Sequence, residues 1–408
     1  MAVVAATEPA EGARERLSAF VGEVVAGMAH VRQRANALVY VRGLVEHGGR
    51  KSLQPTLMRQ GESAARYESV QQFLADSPWD PTALVRACAE RVVPAIDIQA
   101  LVIDDTGFPK DGTRSPGVTR QYSGTLGKVG NCQIGVSLHA IGWAGTVPVG
   151  WALYLPAEWC ADPERRRRAK IPDALVFATK PELAVDLVAR AAEWELPRAP
   201  VLGDQAYGDN AALRSALHGA GTEYVLAIGA LTGLFAPETV FAVPARTPGR
   251  GRPPHVARPD RPPEGAGAPA RRLGPEEFSE IAFTTGPRGQ ARTGRFAFVR
   301  VAAAHPVVRD HEPARSEWLI IEWPEGAEGP SDYWLSNLPP DTAPARLAQL
   351  ARLRWAIELD YRQLKGELGL DHYEGRSYAG WHHHCALVTA AHAFLTEERL
   401  CPPARRPA

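Results

Sequence analysis

The 408-residue chain has no excess charge of either sign, since 46 lysines and arginines balance 46 aspartates and glutamates. A global electrostatic argument for nucleic acid therefore fails, although a neutral total still permits local basic stripes that bind phosphate. Cysteine is scarce: five scattered residues with no Cys-x-x-Cys pair exclude a zinc ribbon and argue against a disulfide framework. No run of about 18 apolar residues occurs. Glu8, Glu11, Arg14 and Glu15 stand where a secretory signal would need a cationic start and an apolar stretch. These absences predict a soluble, cytoplasmic protein with no membrane partner. What is present suffices for a sizeable core, because 45% of the residues are hydrophobic and only 23% charged. The length allows two or three domains at roughly 100–200 residues each.

Periodicity predicts an all-helical amino-terminal domain over 1–95. Phe20, Val24, Val25, Met28 and Val31 recur at helical spacing, as do Leu38, Val41, Leu44 and Val45 before Gly48 and Gly49. Asp80 followed by Pro81 has the pattern of an N-cap with proline at the first helical position. From Gln99 the pattern turns to strands, at 100–104, 132–138 and 147–155. A helix near 181–194, a strand at 199–203, a helix near 211–218 and a strand at 224–228 follow. Three strands and then strand and helix in alternation is the order of an α/β, ribonuclease-H-like core. Its first part is expected at 96–235 and its completion at 341–408. The stretch 236–340 reads as a β-rich insertion with strands at 296–301, 318–323 and 333–335. Within it, 244–274 holds eight prolines and seven arginines and is expected to be a disordered basic loop. A long amphipathic helix is predicted from Pro344 to about Leu368, and a final apolar helix opens at His382.

Three acids sit at the end or on the face of a predicted core element. Asp105 follows the first strand, Asp204 follows the strand at 199–203, and Glu358 lies in the long helix. Neighbouring strand ends of a parallel-type sheet open on one edge, so carboxylates there can converge. Converging carboxylates are what a pair of magnesium ions needs for in-line phosphoryl transfer. Singly, each has an ordinary reading: an Asp at a strand end forms turns, and a helical Glu faces solvent. Arg354 and Lys365 share a helical stripe with Glu358, either as ion pairs or as cations that hold phosphates.

Several motifs in order carry a resemblance over nearly the whole chain. They are Asp104–Lys110, Gln121–Gly127 with Asn131–Gln133, Gly203–Gly208, and Leu364–Arg376. In these the chain resembles bacterial insertion-sequence transposases of the DDE class, in the cut-and-paste group that carries a β-strand insertion between the second Asp and the Glu. The resemblance implies Asp105, Asp204 and Glu358 as catalytic and metal-holding residues. It also implies two Mg2+ ions, with Mn2+ as a substitute, and Arg354 and Lys365 as DNA-binding residues. The substrates would be DNA terminal inverted repeats and target DNA, and the assembly a dimer formed with DNA. The group's tyrosine position in the signature around the catalytic helix is Ala351 here, and Glu367 is a competing acid ranked below Glu358. Two other readings stand beside a transposase that cleaves and joins strands: a non-catalytic DNA-binding relic, and a metal-dependent nuclease without strand transfer.

The remaining features are weaker. Adjacent His382, His383 and His384 point in different directions on a helix, which disfavours a zinc site. Arg165 to Arg168 with Lys170 reads as a solvated loop or a phosphate contact. Further expected contributors to a DNA path are Arg32, Arg34, Arg42, Arg50, Lys51 and the arginines between Arg246 and Arg272. Trp318, Trp323 and Trp334 are expected in the core of the insertion, with one of them able to stack on an extruded base.

Overall fold

The computed structural model describes residues 11–46, 48–245, 258–285, 290–304 and 316–400. In chain order, helices α1 (Glu11–Val24), α2 (Val31–Glu46), α3 (Leu53–Arg59), α4 (Ala64–Ala75) and α5 (Pro81–Val92) come first. Strands β1 (Ile98–Pro109), β2 (Thr119–Ser123), β3 (Lys128–Gly142) and β4 (Thr146–Tyr154) follow, then α6 (Ala157–Cys160), α7 (Pro163–Arg168) and α8 (Lys180–Glu193). Next are β5 (Val201–Gly203), α9 (Gln205–Gly208), α10 (Ala211–Gly219), β6 (Tyr224–Ile228), β7 (Gly233–Phe235) and β8 (Phe241–Ala242). After them run β9 (Arg258–Pro259), β10 (Glu264–Gly265), α11 (Gly267–Arg272), β11 (Ser279–Thr285), β12 (Gln290–Ala303), β13 (Ser316–Trp323) and β14 (Asp332–Ser336). The chain closes with α12 (Pro344–Leu353), α13 (Ala356–Gly366) and α14 (Tyr378–Leu400). The architecture is mixed α/β, with strand order along the chain consistent with a ribonuclease-H-like core. It divides into two compact units, Met1–Arg198 with Trp355–Ala408, and Ala199–Arg354. Among the described residues no helix is long and apolar enough to cross a membrane.

In the first unit the long strand β3 pairs antiparallel with β1, β2 and β4. The register of β1 on β3 is unbroken from Ala100 opposite Ile141 to Pro109 opposite Cys132. Helix α14 is apolar on nearly all sides, the signature of a buried helix, and α1, α2, α4, α5 and β4 pack around it. Trp381, Leu387, Val388 and Phe394 are all buried there, each contributing roughly 2 kcal/mol by removal from water. The described residues of 11–92 carry the five helices α1–α5 and no strand, with Asp80 capping α5 by accepting from the Thr82 N–H at 2.8 Å. The contacts with α14, such as Phe20 against Phe394 at 5.7 Å, put these helices in one unit with β1–β4 rather than in a body ending at residue 95.

In the second unit the strands run in the order β10-β7-β12-β13-β14-β6-β5, with β11 on β12. Only β5 and β6 are parallel among these pairs. Its core joins Ile228, Leu234, Phe278, Leu319, Ile321 and Leu335. The expected disordered loop is corrected here. Residues 246–257 lie outside the described residues, but 258–274 carry β9, β10 and α11. Ala266 and Ala270 are fully buried in that core, and Arg272 pairs with Glu264 at 2.5 Å. Small alanines packing a short helix leave no apolar periodicity for a sequence reading to detect.

The predicted long helix is also corrected, because it is two helices. Arg354 and Trp355 keep right-handed dihedrals, but ψ at Trp355 is −13° and the Glu358 N–H closes a tight three-residue turn on the Trp355 carbonyl at 3.1 Å. Leucine spacing is compatible with one helix or with two separated by a tight turn, so periodicity could not reveal the break.

Candidate active site

Successive residues of a strand point to opposite faces, and the unbroken register applies this to Asp104 and Asp105. Asp105 lies opposite Val136, and Asp104 lies opposite Ser137. On the Asp105 face stands α8, whose Leu187 fills the space above Gly150. Helix α8 starts in a full capping box between Thr179 and Glu182, which fixes its first residue, Lys180. The Lys180 ammonium reaches the Asp105 carboxylate at 2.8 Å, with both side chains partly shielded. A cation in a helix first turn opposes the helix dipole, and Asp105 offsets that cost.

On the Asp104 face lies α13, the helix of Glu358. Three contacts pin it. Asp360, buried, sits 2.8 Å from His139 Nδ1 and accepts from the Thr146 hydroxyl at 2.5 Å. The hydroxyls of Tyr361 and Ser137 are 2.7 Å apart. Lys365 donates to the Gly107 carbonyl at 2.8 Å and to the Thr125 hydroxyl at 2.9 Å. Burial lowers the Lys365 pKa to about 8. Burial, reinforced by Asp104 and then Asp105, holds the Tyr361 phenol neutral far above its usual value. Burial opposes ionisation of Asp360, but its hydrogen bond from His139 and the two nearby imidazoles outweigh that and lower its pKa. Glu358 is exposed in the first turn of α13, where the helix dipole favours a carboxylate. Trp355, three residues earlier, keeps 44% of its surface exposed. Asp104 therefore shares the face on which α13 packs, whereas the Asp105 side chain points toward α8.

In the second unit Asp204 follows β5 and caps α9, accepting from the Ala206 N–H at 2.9 Å and the Tyr207 N–H at 3.4 Å. Gly208 closes this turn against β6, since a Cβ there would stand 1.7 Å from the Ala227 carbonyl oxygen. Arg354 is the C-cap residue of α12. The donor chemistry of Asp105, Asp204 and Glu358 fits magnesium, a hard cation that takes carboxylate oxygens. Among the described residues, however, no three His, Cys, Asp or Glu side chains are gathered closely enough to hold a metal ion.

Other expected contacts sort themselves by their partners. Lys51 is buried and donates to the Leu44 carbonyl at 2.6 Å, so it leaves the expected DNA path. Arg165 lies 3.9 Å over the Trp159 ring, and Arg166 ties the carbonyls of Pro172 and Leu175 at 2.7 and 2.8 Å. Only Arg167 and Arg168 of that run are exposed, with Arg168 paired to Glu164. His382 contacts the Tyr378 carbonyl, His383 those of Leu74 and Trp79, and His384 the Tyr40 hydroxyl and the Leu370 carbonyl. Trp334 is buried, while Trp318 and Trp323 are covered by the guanidinium groups of Arg300 and Arg295. Sequence reasoning missed Lys180, Asp360 with His139, and Trp355. The Thr179-x-x-Glu182 box could have marked the α8 start, but nothing in the sequence pairs Lys180 with a residue 75 positions away.

Comparison with known proteins adds the family. A probable transposase for insertion sequence element IS701 from Microchaete diplosiphon is 30% identical over 145 residues, which is 35% of this chain and 35% of that protein. The chain thus matches about a third of the length of this curated relative. A family model, that of the DDE superfamily endonucleases, matches residues 23–290, a span that contains Asp105 and Asp204 and stops before Glu358. Since the match covers well over half of its length, the chain belongs to the DDE superfamily endonuclease family.

Proposed function

We propose that the protein is a DNA transposase. It cleaves a phosphodiester at the ends of an insertion element in a metal-dependent reaction and joins the freed 3′ hydroxyl to target DNA. The observation that carries this reading is the family match across Asp105 and Asp204, and the relative described as a probable transposase supports it. Asp105, Asp204 and Glu358 would hold two magnesium ions, or manganese in their place. Bound there, the ions would stabilise the attacking and leaving oxygens of an in-line displacement.

The chain's own groups prepare that site. Two backbone N–H groups orient the Asp204 carboxylate, and Lys180 neutralises Asp105. Lys365, bound to the Gly107 carbonyl, positions α13, and Lys365 and Arg354 would contact DNA phosphate. The substrates are terminal inverted repeats and target DNA, and two DNA ends require a dimeric assembly. The test is incubation of the protein and magnesium with DNA carrying the inverted repeats that flank its gene. Joined products are the expected result; cut products alone would make it a nuclease, and binding alone a relic. Asp204→Ala should abolish cleavage while leaving end binding intact, and retained cleavage would remove Asp204 from the site.

A further inference from the structure

The segment Asp371–Arg376, one of the motifs of the sequence, takes no part in the site above. In the first unit its residues from His372 onward form one wall of a cleft of about 610 Å3. The opposite wall is α4, which presents Tyr67 and Gln71 one turn apart, and the start of α3 contributes Gln54. Arg168 and Lys170 close the rim. A cleft of this size is of the order of a small-molecule site, roughly 300–1,000 Å3, the scale of a nucleotide and not of a duplex.

Its lining mixes apolar surface with polar groups in about equal measure. Among the described residues, the side chains of Gln54, Tyr67, Gln71 and Arg376 make no hydrogen bond within the protein, so amide, phenol and guanidinium groups face the space uncommitted. The two acids at the rim are already neutralised, Asp76 by Lys170 and Glu374 by Arg50 at 2.5 Å. Lys170 itself is held at φ 53°, the left-handed position just past the end of α7 where glycine is usual. A lysine kept in that conformation brings a cation to the rim at a backbone cost. The geometry points to an unpaired nucleotide of a DNA strand as the occupant, its base stacked on Tyr67 and its flanking phosphates on Arg376 and Arg168, while Lys170 keeps the rim carboxylate of Asp76 neutralised. Aromatic stacking beside cations is how single strands are held without strong sequence preference. The choice of DNA rests on the transposase reading, whereas the inferred preference for a single strand stands on the cleft's volume and on the partly exposed Tyr67 phenol beside cations.

The test measures anisotropy of a fluorescein-labelled thymidine pentanucleotide and of a labelled blunt duplex with the full chain. Tyr67→Ala should weaken pentanucleotide binding roughly tenfold and Tyr67→Phe should preserve it, with duplex binding unchanged in both. Lys170→Gly, which suits the left-handed backbone and so keeps the fold, leaves the Asp76 carboxylate unpaired at the rim and should weaken the pentanucleotide by repulsion of its phosphates. Duplex binding without pentanucleotide binding, or equal pentanucleotide affinity in wild type and Tyr67→Ala, would overturn the cleft proposal alone. Failure to bind either DNA would overturn the transposase reading with it. A pentanucleotide carrying 5-iodouracil should crosslink within 67–76 or 371–377, and crosslinks confined elsewhere would reject the cleft even if a variant misfolds.

Discussion

At the scale of single residues, the adjacent pair Asp104 and Asp105 poses the sharpest question. The resemblance and the Lys180 contact single out Asp105, whereas the face of α13 belongs to Asp104. Asp105→Asn is expected to abolish metal-dependent cleavage and Asp104→Asn to leave most of it, measured as nicking of end-bearing DNA. The reverse order would make Asp104 the first acid of the site. Lys180→Gln should cost little stability without metal, within about 1 kcal/mol for a partly shielded pair. It should also enlarge the rise in melting temperature on adding magnesium, because the ion no longer displaces an ammonium. The position of Asp204 just after β5 was legible, since a short apolar run that gives way to Asp says where that strand stops, whereas the expected strand end at Asp105 is corrected: β1 runs on to Pro109 and holds Asp105 in its interior. The sign of the face was not legible, because two neighbouring aspartates look alike until a register assigns one to each side.

At the scale of elements, α13 depends on the buried Asp360 with His139 and Thr146. Leaving buried hydrogen-bonding groups without their partner typically costs roughly 1–3 kcal/mol each, so Asp360→Ala, which orphans His139 and Thr146, should lower the urea midpoint clearly and loosen the helix of Glu358. A midpoint close to wild type would show that other contacts hold α13. Helix α14 carries its own pH dependence. Burial lowers His382, His384 and His392 to about 4, against 6.5 for an ordinary histidine. Between these values the unfolded chain takes up protons that the folded one refuses. The contribution is therefore complete above pH 6.5 and is lost as pH falls toward 4, on the order of 3 kcal/mol for each ring. Urea unfolding near neutrality and near pH 5 should show a clear loss, and a flat profile would contradict neutral buried rings. Most of these elements could be read from periodicity and caps, as with α5 behind Asp80. The break at Trp355 could not, because apolar spacing records which face is buried and not how tightly one turn is wound.

At the scale of the whole molecule, a chain with zero net charge must concentrate its cations to hold DNA, and the structure narrows the choice. Arg165 and Arg166 are occupied within the protein, whereas Arg167 and Arg168 are open to solvent. Replacing Arg167 and Arg168 with alanine should reduce the slope of log affinity against log salt by up to about 2 while stability is kept. Replacing Arg165 and Arg166 should instead lower the melting temperature. Equal salt slopes in wild type and the Arg167/Arg168 variant would remove this helix from the DNA path. The packing of α1, α2, α4 and α5 around α14 also sets a clock. A ribosome adds roughly 5–20 residues per second, so the first helices emerge on the order of tens of seconds before the segment that buries their apolar faces. Until Tyr378–Leu400 leaves the ribosome, the nascent amino-terminal helices have no centre to close on. This ties competence of the DNA-handling surfaces to completion of translation, and abortive fragments ending before α14 should be cleared by proteolysis instead of competing for DNA.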